Sequence, residues 1–588
     1  MNFLGVASTR ITLETATKPH LFGFWRVIFP LVSIIVPSLH AQPLLAQIPP
    51  EVKPPSRESL PEAQPLPVLP PPDQLLPIPS PIPNQPQVTP ETLSTTLVVE
   101  RFEFVGNTVF SAEELAKVTA PYTKKQISFT ELLQVRSQIT KLYVDKGYVT
   151  SGAIIPIQTI KNGVVVVQLV EGSLEKINVT GTSRLNRSYI SDRLSLAAGK
   201  PFSRDRLLIG LQLLQLDPLI KNISADLQTG IRPGTNILEV KVTEADSFQT
   251  QLSIDNERSP SVGSLRRRIN INEANLLGLG DGFNFGYTNT DGSNGIDISY
   301  SLPVNARNGK LIFNYGATGN NVIERPFNTL DITSQSRFYE LQFRQPLVQT
   351  PTQEFTLGLT ASQQMSQTFL GTDNIGPFPL GVGADNNGKT KISALRFFQE
   401  WSQRSSKQVL TARSQFSLGL NILDATINND EPDSRFFSWR GQGQWLRQLA
   451  PDTILLMQTN LQLANKQLLG LEQFGLGGQK TLRGYRQDSL LTDNGFLAST
   501  EVRLPVLRVP KLQGLLQIAP FFDLGTGWNN GGSNPDNNTL LGAGLGLIWR
   551  QSSKFNARLD WGIPLTENNS KKETWQENGL YFSLTYSP

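Results

Sequence analysis

Phe474-Gly475-Leu476-Gly477-Gly478-Gln479-Lys480-Thr481-Leu482-Arg483-Gly484-Tyr485 is a polar, glycine-rich loop set inside a long tract of alternating apolar and polar residues. Gly475, Gly477 and Gly478 permit the backbone angles of a tightly folded loop. Arg483 carries a planar guanidinium that only donates hydrogen bonds and stays charged. Such a group needs a carboxylate. Asp523, in the apolar run Phe521-Phe522-Asp523-Leu524-Gly525, would be costly to bury unless paired, so the two are expected to meet.

The surrounding tract sets the fold. Tyr339, Leu341 and Phe343 alternate with Glu340, Gln342 and Arg344, and Phe355, Leu357 and Leu359 alternate with Thr356, Gly358 and Thr360. From Ser247 onward this period of two never gives way to a helical period, and 588 − 246 = 342 residues of it is long for a soluble sandwich. At about ten residues per membrane strand plus connections, the length suits a transmembrane barrel of about 16 strands. The last stretch, Leu580 to Tyr586, alternates with aromatic residues and is expected to close the barrel against its first strand.

Upstream, residues 96–246 hold a two-fold repeat. The first copy reads as strand Val98–Phe104, a short helix opened by Ser111 and Glu114, a helix from Ser128 stopped by Gly147, and strands Ala153–Ile157 and Val164–Val170. The second reads as strand Ile177–Thr180, helices near Tyr189–Leu196 and Leu207–Leu216, and strands Ile223–Leu227 and Ile237–Val242. Gly106 and Gly181 are 75 positions apart, as are Ser128 and Ser203, so the modules are duplicates.

These pieces together resemble the outer-membrane transporters of two-partner secretion, the hemolysin-activation type within the BamA superfamily. Leu482-Arg483-Gly484-Tyr485 matches the family's inward-folded loop motif, near residues 474–495, and Phe522-x-x-Gly525 around Asp523 its barrel-wall motif. The resemblance implies that Arg483 and Asp523 anchor the loop to the wall, with Leu482, Gly484, Tyr485, Gly477 and Gly478 shaping the loop and Phe521, Phe522 and Gly525 shaping the wall. Asn275 to Asp281, Gly542 to Gly546 and Arg558 to Gly562 resemble other barrel segments. The repeat resembles tandem polypeptide-transport-associated (POTRA) domains, whose open sheet edge beside a helix offers an extended client a strand-addition groove.

The expected organisation is therefore a signal peptide over 1–46, a proline-rich linker over 47–95, POTRA domains over 96–172 and 173–246, and a transmembrane β-barrel over 247–588. Arg10, Lys18 and Arg26 precede the apolar run Val27–Leu39, which Pro30 and Pro37 interrupt, in the manner of a secretory signal. Proline fills 16 positions between Pro49 and Pro90, which predicts extended polyproline II and no helix or strand. Family members often carry a barrel-plugging helix in this region, and the prolines leave it no uninterrupted stretch.

Composition narrows the chemistry. The sequence has no cysteine, and its two histidines, His20 and His40, fall in the targeting segment. This removes thiolate catalysis, Ser-His-Asp hydrolysis and Cys- or His-ligated metal from the mature chain. A net charge of +4 gives no case for nucleic acid, and no phosphate-loop spacing exists, so nucleotide use is not expected. The resemblance implies no catalysis, no cofactor and no metal; a monomer in outer-membrane lipid, its POTRA domains in the periplasm; and, as partner, a secreted passenger protein carrying a secretion domain. The alternatives are a BamA-like insertase and a passive porin.

Overall fold

Ser111 and Ser128 each accept a hydrogen bond from the backbone of a glutamate three residues on, which bonds back to the serine's own amide. These two capping boxes start helices Ala112–Thr119 and Phe129–Asp145 where the sequence predicts them. The computed structural model describes residues 65, 67, 69–77, 96–232, 234–430, 432–567 and 572–588; the expected signal peptide and most of the proline tract lie outside them.

In the first module strand Arg101–Val105 lies parallel to Val164–Val170, which pairs in turn with Gly152–Ile154. Two predicted strands come out differently. Val98–Phe104 splits, because the Glu100 amide bonds to Gly163 and the preceding Thr96–Val99 pairs instead with Lys125–Ser128. The strand expected to run to Ile157 stops at Ile154 just ahead of Pro156, which has no amide to donate. The Gln158 side chain takes over by bonding both the amide and the carbonyl of Val166.

The second module repeats the order with strand Ser173–Thr180, helices Arg187–Ala198 and Arg204–Gln215, and strands Ile220–Thr229 and Thr235–Glu244. Equivalent positions do equivalent work. Gly106 and Gly181 turn at φ +86° and +87°, where a Cβ would run into the carbonyls of Leu169 and Val242. After each glycine a glutamate clamps the turn: Glu171 accepts from the amides of Thr108 and Val109, and Glu244 from those of Ser183, Arg184 and Leu185. Burial works against the Glu244 charge, yet these amides and the Ser183 hydroxyl hold its carboxyl below the usual glutamate range. The sign follows: its contribution is present above the ordinary glutamate pKa and is lost as pH falls through the depressed value. Amide exchange at Ser183–Leu185 should therefore speed up in acid beyond its intrinsic pH dependence, and Glu244→Gln should blunt that extra response.

The proline tract departs from expectation. Pro72–Leu75 forms one helical turn, with proline at the first helical position, where its fixed φ fits and no amide is needed. Leu75 and Leu76 join the core of the second module beside Leu207, Leu211 and Ile223. Burying two such side chains is worth roughly 1.5 to 3 kcal/mol each before the cost of ordering the segment.

Sixteen antiparallel strands, from Phe248–Asp255 to Leu580–Tyr586, form a closed barrel, with the two-residue strand Gly376–Pro377 as an appendage. Leu252–Asp255 pair with Ser583–Tyr586 and close it. Tyr339, Leu341 and Phe343 lie exposed on the outer face, whereas their neighbour Arg344 pairs inside with Glu354 and Glu400. So broad an apolar exterior suits lipid, and the polar face lines the lumen. The turn Asn275–Asp281 joins the barrel to the second module. Asp281 is fully buried and accepts from the amides of Leu277 and Leu279, while the Gly278 carbonyl accepts from Asn186 and Arg184 pairs with Glu273.

Candidate functional site: the loop inside the barrel

The connection between the eleventh strand, Thr453–Ala464, and the twelfth, Asn494–Val509, turns back against the inner wall. Phe474–Leu476 pairs with Leu490–Thr492 as a small hairpin, and the segment between them is the tip. Gly477 and Gly478 sit at φ +112° and +99°, where a side chain would press on Arg486 and Gln487. Gly475 needs no such angle, since it lies in the hairpin strand. Phe474, Leu476, Leu482 and Tyr485 bury together with Leu497 and Leu540, so the loop carries its own apolar core.

Arg483 and Asp523 meet. The guanidinium donates from Nε and Nη2 to the two carboxylate oxygens of Asp523, both at 2.8 Å, and the Arg483 amide adds a bond of 3.0 Å. Arg483 is 4% exposed and Asp523 is fully buried. Ser499 donates to Asp523 at 2.6 Å, and the guanidinium carbon stands 3.4 Å from the centre of the Phe521 ring, a cation–π contact.

The pair sits in a larger network that sequence reasoning missed. Glu501 accepts from Arg483 at 2.6 Å, from Arg503 at 2.8 Å and from Arg558 at 2.6 Å, and Arg558 donates to Asp560 at 2.7 Å. Three guanidiniums thus face three carboxylates, and charge balance makes the burial tolerable. The signal was present in Glu501-Val502-Arg503 and Arg558-Leu559-Asp560: opposite charges two apart in a strand share one face, and in a membrane barrel that face is the lumen.

The wall supplies a smooth bed. A Cβ on Gly525 of the thirteenth strand, Gly514–Trp528, would come within 2.7 Å of Leu482. One on Gly542 of the fourteenth, Thr539–Gln551, would overlap the Arg483 carbonyl, and one on Gly562 of the fifteenth, Phe555–Pro564, would stand 2.5 Å from the Gly484 amide. Gly484 itself turns at φ +102°. Phe521, Asp523 and Gly525 are all buried, as period-two neighbours should be; Phe522 is 49% exposed on the outer face and takes no part in the site.

Tyr485 and Tyr581 hold the far side. The Tyr485 hydroxyl donates to the Leu541 carbonyl at 2.8 Å, and the Tyr581 hydroxyl donates to the Tyr485 carbonyl at 2.6 Å while accepting from the Gly484 amide at 2.9 Å. Tyr581→Phe keeps the ring but strands the buried Gly484 amide, while the Tyr485 carbonyl keeps its bond from the Gly478 amide, at a cost of about 1 to 3 kcal/mol. The expected result is faster amide exchange at Gly484 and Tyr485 with the barrel intact. Beyond the motif, Arg486 reaches Glu324 at 2.8 Å and Glu577 at 3.3 Å, in the connections before the sixth and sixteenth strands, Ile332–Gln349 and Leu580–Tyr586. The tip is therefore tied to both halves of the barrel.

Among the described residues no cluster of carboxylates or histidines could hold a metal ion. The loop meets the wall through charge pairing and close backbone packing.

Comparison with known proteins bears on the fold as a whole. The family model for the haemolysin secretion/activation protein ShlB/FhaC/HecB matches residues 234–548, and a POTRA domain of ShlB type matches residues 97–172. The chain is 23% identical to the heme/hemopexin transporter protein HuxB of Haemophilus influenzae over 494 residues, covering 79% of this chain and 83% of that protein. CdiB from Escherichia coli has a similar fold, with a TM-score of 0.65 at 18% identity over 85% of this chain and 93% of that one. BamA from Haemophilus ducreyi lacking POTRA domains 1–3 follows at a TM-score of 0.52 and 14% identity, over 84% of this chain and all of that one.

Proposed function

The chain belongs to the haemolysin secretion/activation family ShlB/FhaC/HecB, outer-membrane transporters of two-partner secretion, and on that premise we propose how its parts move a partner protein. An unfolded passenger is captured in the periplasm by the domain at 97–172 and by the module at 173–246, which acts as a second POTRA domain. It then passes through the lumen and folds outside, and no nucleotide is consumed. Arg483 and Asp523 hold the loop in the lumen as the part that passage must rearrange.

The observation that carries this reading is the buried Arg483–Asp523–Glu501 network, which fixes a large polar loop inside a barrel that could otherwise stand open. A barrel serving only as a passive pore has no use for periplasmic modules tied to its first turn. A BamA-like insertase shares the fold more distantly, at a TM-score of 0.52 against 0.65. We place the chain in the membrane as a monomer, since the closed barrel surrounds its own lumen.

Deleting the gene and measuring both culture medium and outer membrane by mass spectrometry tests the reading. Loss of one large protein from the medium, with other barrels unchanged, is the expected result. A general fall in outer-membrane barrels would point to an insertase, and no change in either fraction would overturn export.

A further inference from the structure

Leu75 and Leu76, 1% and 4% exposed, occupy a defined place on the second module. Their turn, Pro72–Leu75, packs against helix Arg204–Gln215 and strand Ile220–Thr229. Among the described residues that strand pairs with Thr235–Glu244 alone, so it is the free edge of its sheet. A helix beside a free edge makes a groove suited to an extended peptide. Here the chain's own linker packs against both.

The hold is built to be reversible. The segment's backbone hydrogen bonds close on itself, from Gln74 and Leu75 to the Pro71 carbonyl and from Leu76 to that of Pro72. The turn has no side-chain cap, and four residues do not make a helix that lasts alone. Prolines at 70, 71, 72 and 77 stiffen both flanks and limit the entropy lost on docking. Two leucine side chains therefore do the holding. In the first module the edge strand Gly152–Ile154 lies directly against helix Phe129–Asp145, whose Thr140 hydroxyl accepts from the Ala153 amide.

We propose that Pro71–Leu76 is a latch in cis: it occupies the face between helix and edge strand of the second module at rest and gives way to a segment of the exported partner that places two apolar side chains in the same site. The partner's part in this rests on the export reading; the latch itself does not.

A fluorescent peptide of residues Leu69–Pro77 tests it on the full chain in detergent. In the wild type the tethered copy competes at an effective concentration on the order of millimolar, so the peptide should bind the Leu75→Ser/Leu76→Ser variant at least tenfold more tightly. A peptide with the same two changes should bind neither. Because the double variant could loosen the module, a second form leaves residues 173–246 unaltered and puts no polar side chain in the core: a protease site placed between Pro77 and Thr96 is cut and the released piece, Leu75 and Leu76 included, is washed away. The cut chain should gain the peptide binding that the uncut chain lacks. Equal binding before and after the cut overturns the latch. The protein lost from the medium in the deletion experiment should then displace the peptide from the cut chain. If it does not, its role as the displacing ligand is overturned; if no such protein is found, the export reading falls and the peptide comparison still decides the latch.

Discussion

Arg483→Ala is expected to abolish export while the barrel still folds and inserts. The substitution leaves Asp523 fully buried with the Ser499 hydroxyl near it and no cation in its former place. Glu501 keeps Arg503 and Arg558, so the network passes from three charges of each sign to an excess of one negative charge. Removing one partner of a desolvated pair costs about 3 to 5 kcal/mol, and the loop can recover most of it only by leaving the wall. The barrel itself rests on sixteen strands whose ladders do not involve Arg483. Arg483→Lys should restore little, because an ammonium cannot serve both Asp523 oxygens and Glu501 with the fork geometry seen here. Passenger in the medium, normalised to heat-modifiable barrel in the outer membrane, is the readout. Normal export by Arg483→Ala at normal abundance would sink the assignment.

That this pair stands out in the sequence while Glu501 does so only faintly has a physical reason. Asp523 stands in an apolar run, and an ionised group there demands a cation as partner. Glu501 and Arg503 lie in a strand whose alternate residues are polar, a pattern that a solvated face satisfies equally well. Only the folded loop shows that this face is covered. The same period of two explains Phe522: its neighbours Phe521 and Asp523 face the loop, so it must face lipid, and grouping it with them ignored the alternation. Helix starts in the first module were legible because a capping box is local chemistry between residues three apart. The break at Glu100 was not, because it depends on Gly163, which only the folded module brings near. Proline density predicts no helix at 72–75, yet a turn that begins on proline loses nothing by it, and Leu75 and Leu76 gain a core to bury in.

Gly542→Val should disable export as completely as loss of the arginine, without touching any charge. The residue pairs with Asp523 across the ladder, and a Cβ there would overlap the Arg483 carbonyl. The obstacle is backbone, so no rotamer change relieves it; the segment Leu482–Gly484 must lift. Lifting stretches the Arg483–Asp523 bonds, now 2.8 Å, and breaks the Arg483 amide bond to the same carboxylate. Gly562 opposes the same segment one strand further on, so sideways escape is blocked as well. Valine is otherwise a good strand residue, and the fourteenth strand should keep its ladder. The variant should therefore insert normally, become sensitive to protease at Lys480 or Arg486, and fail to export. Gly319 is the control, since a Cβ there meets nothing within 4 Å and Gly319→Val should export as the wild type does. If Gly542→Val exports normally with its loop still protected, the loop does not lie against the wall along this glycine bed, and the anchor loses its geometric basis.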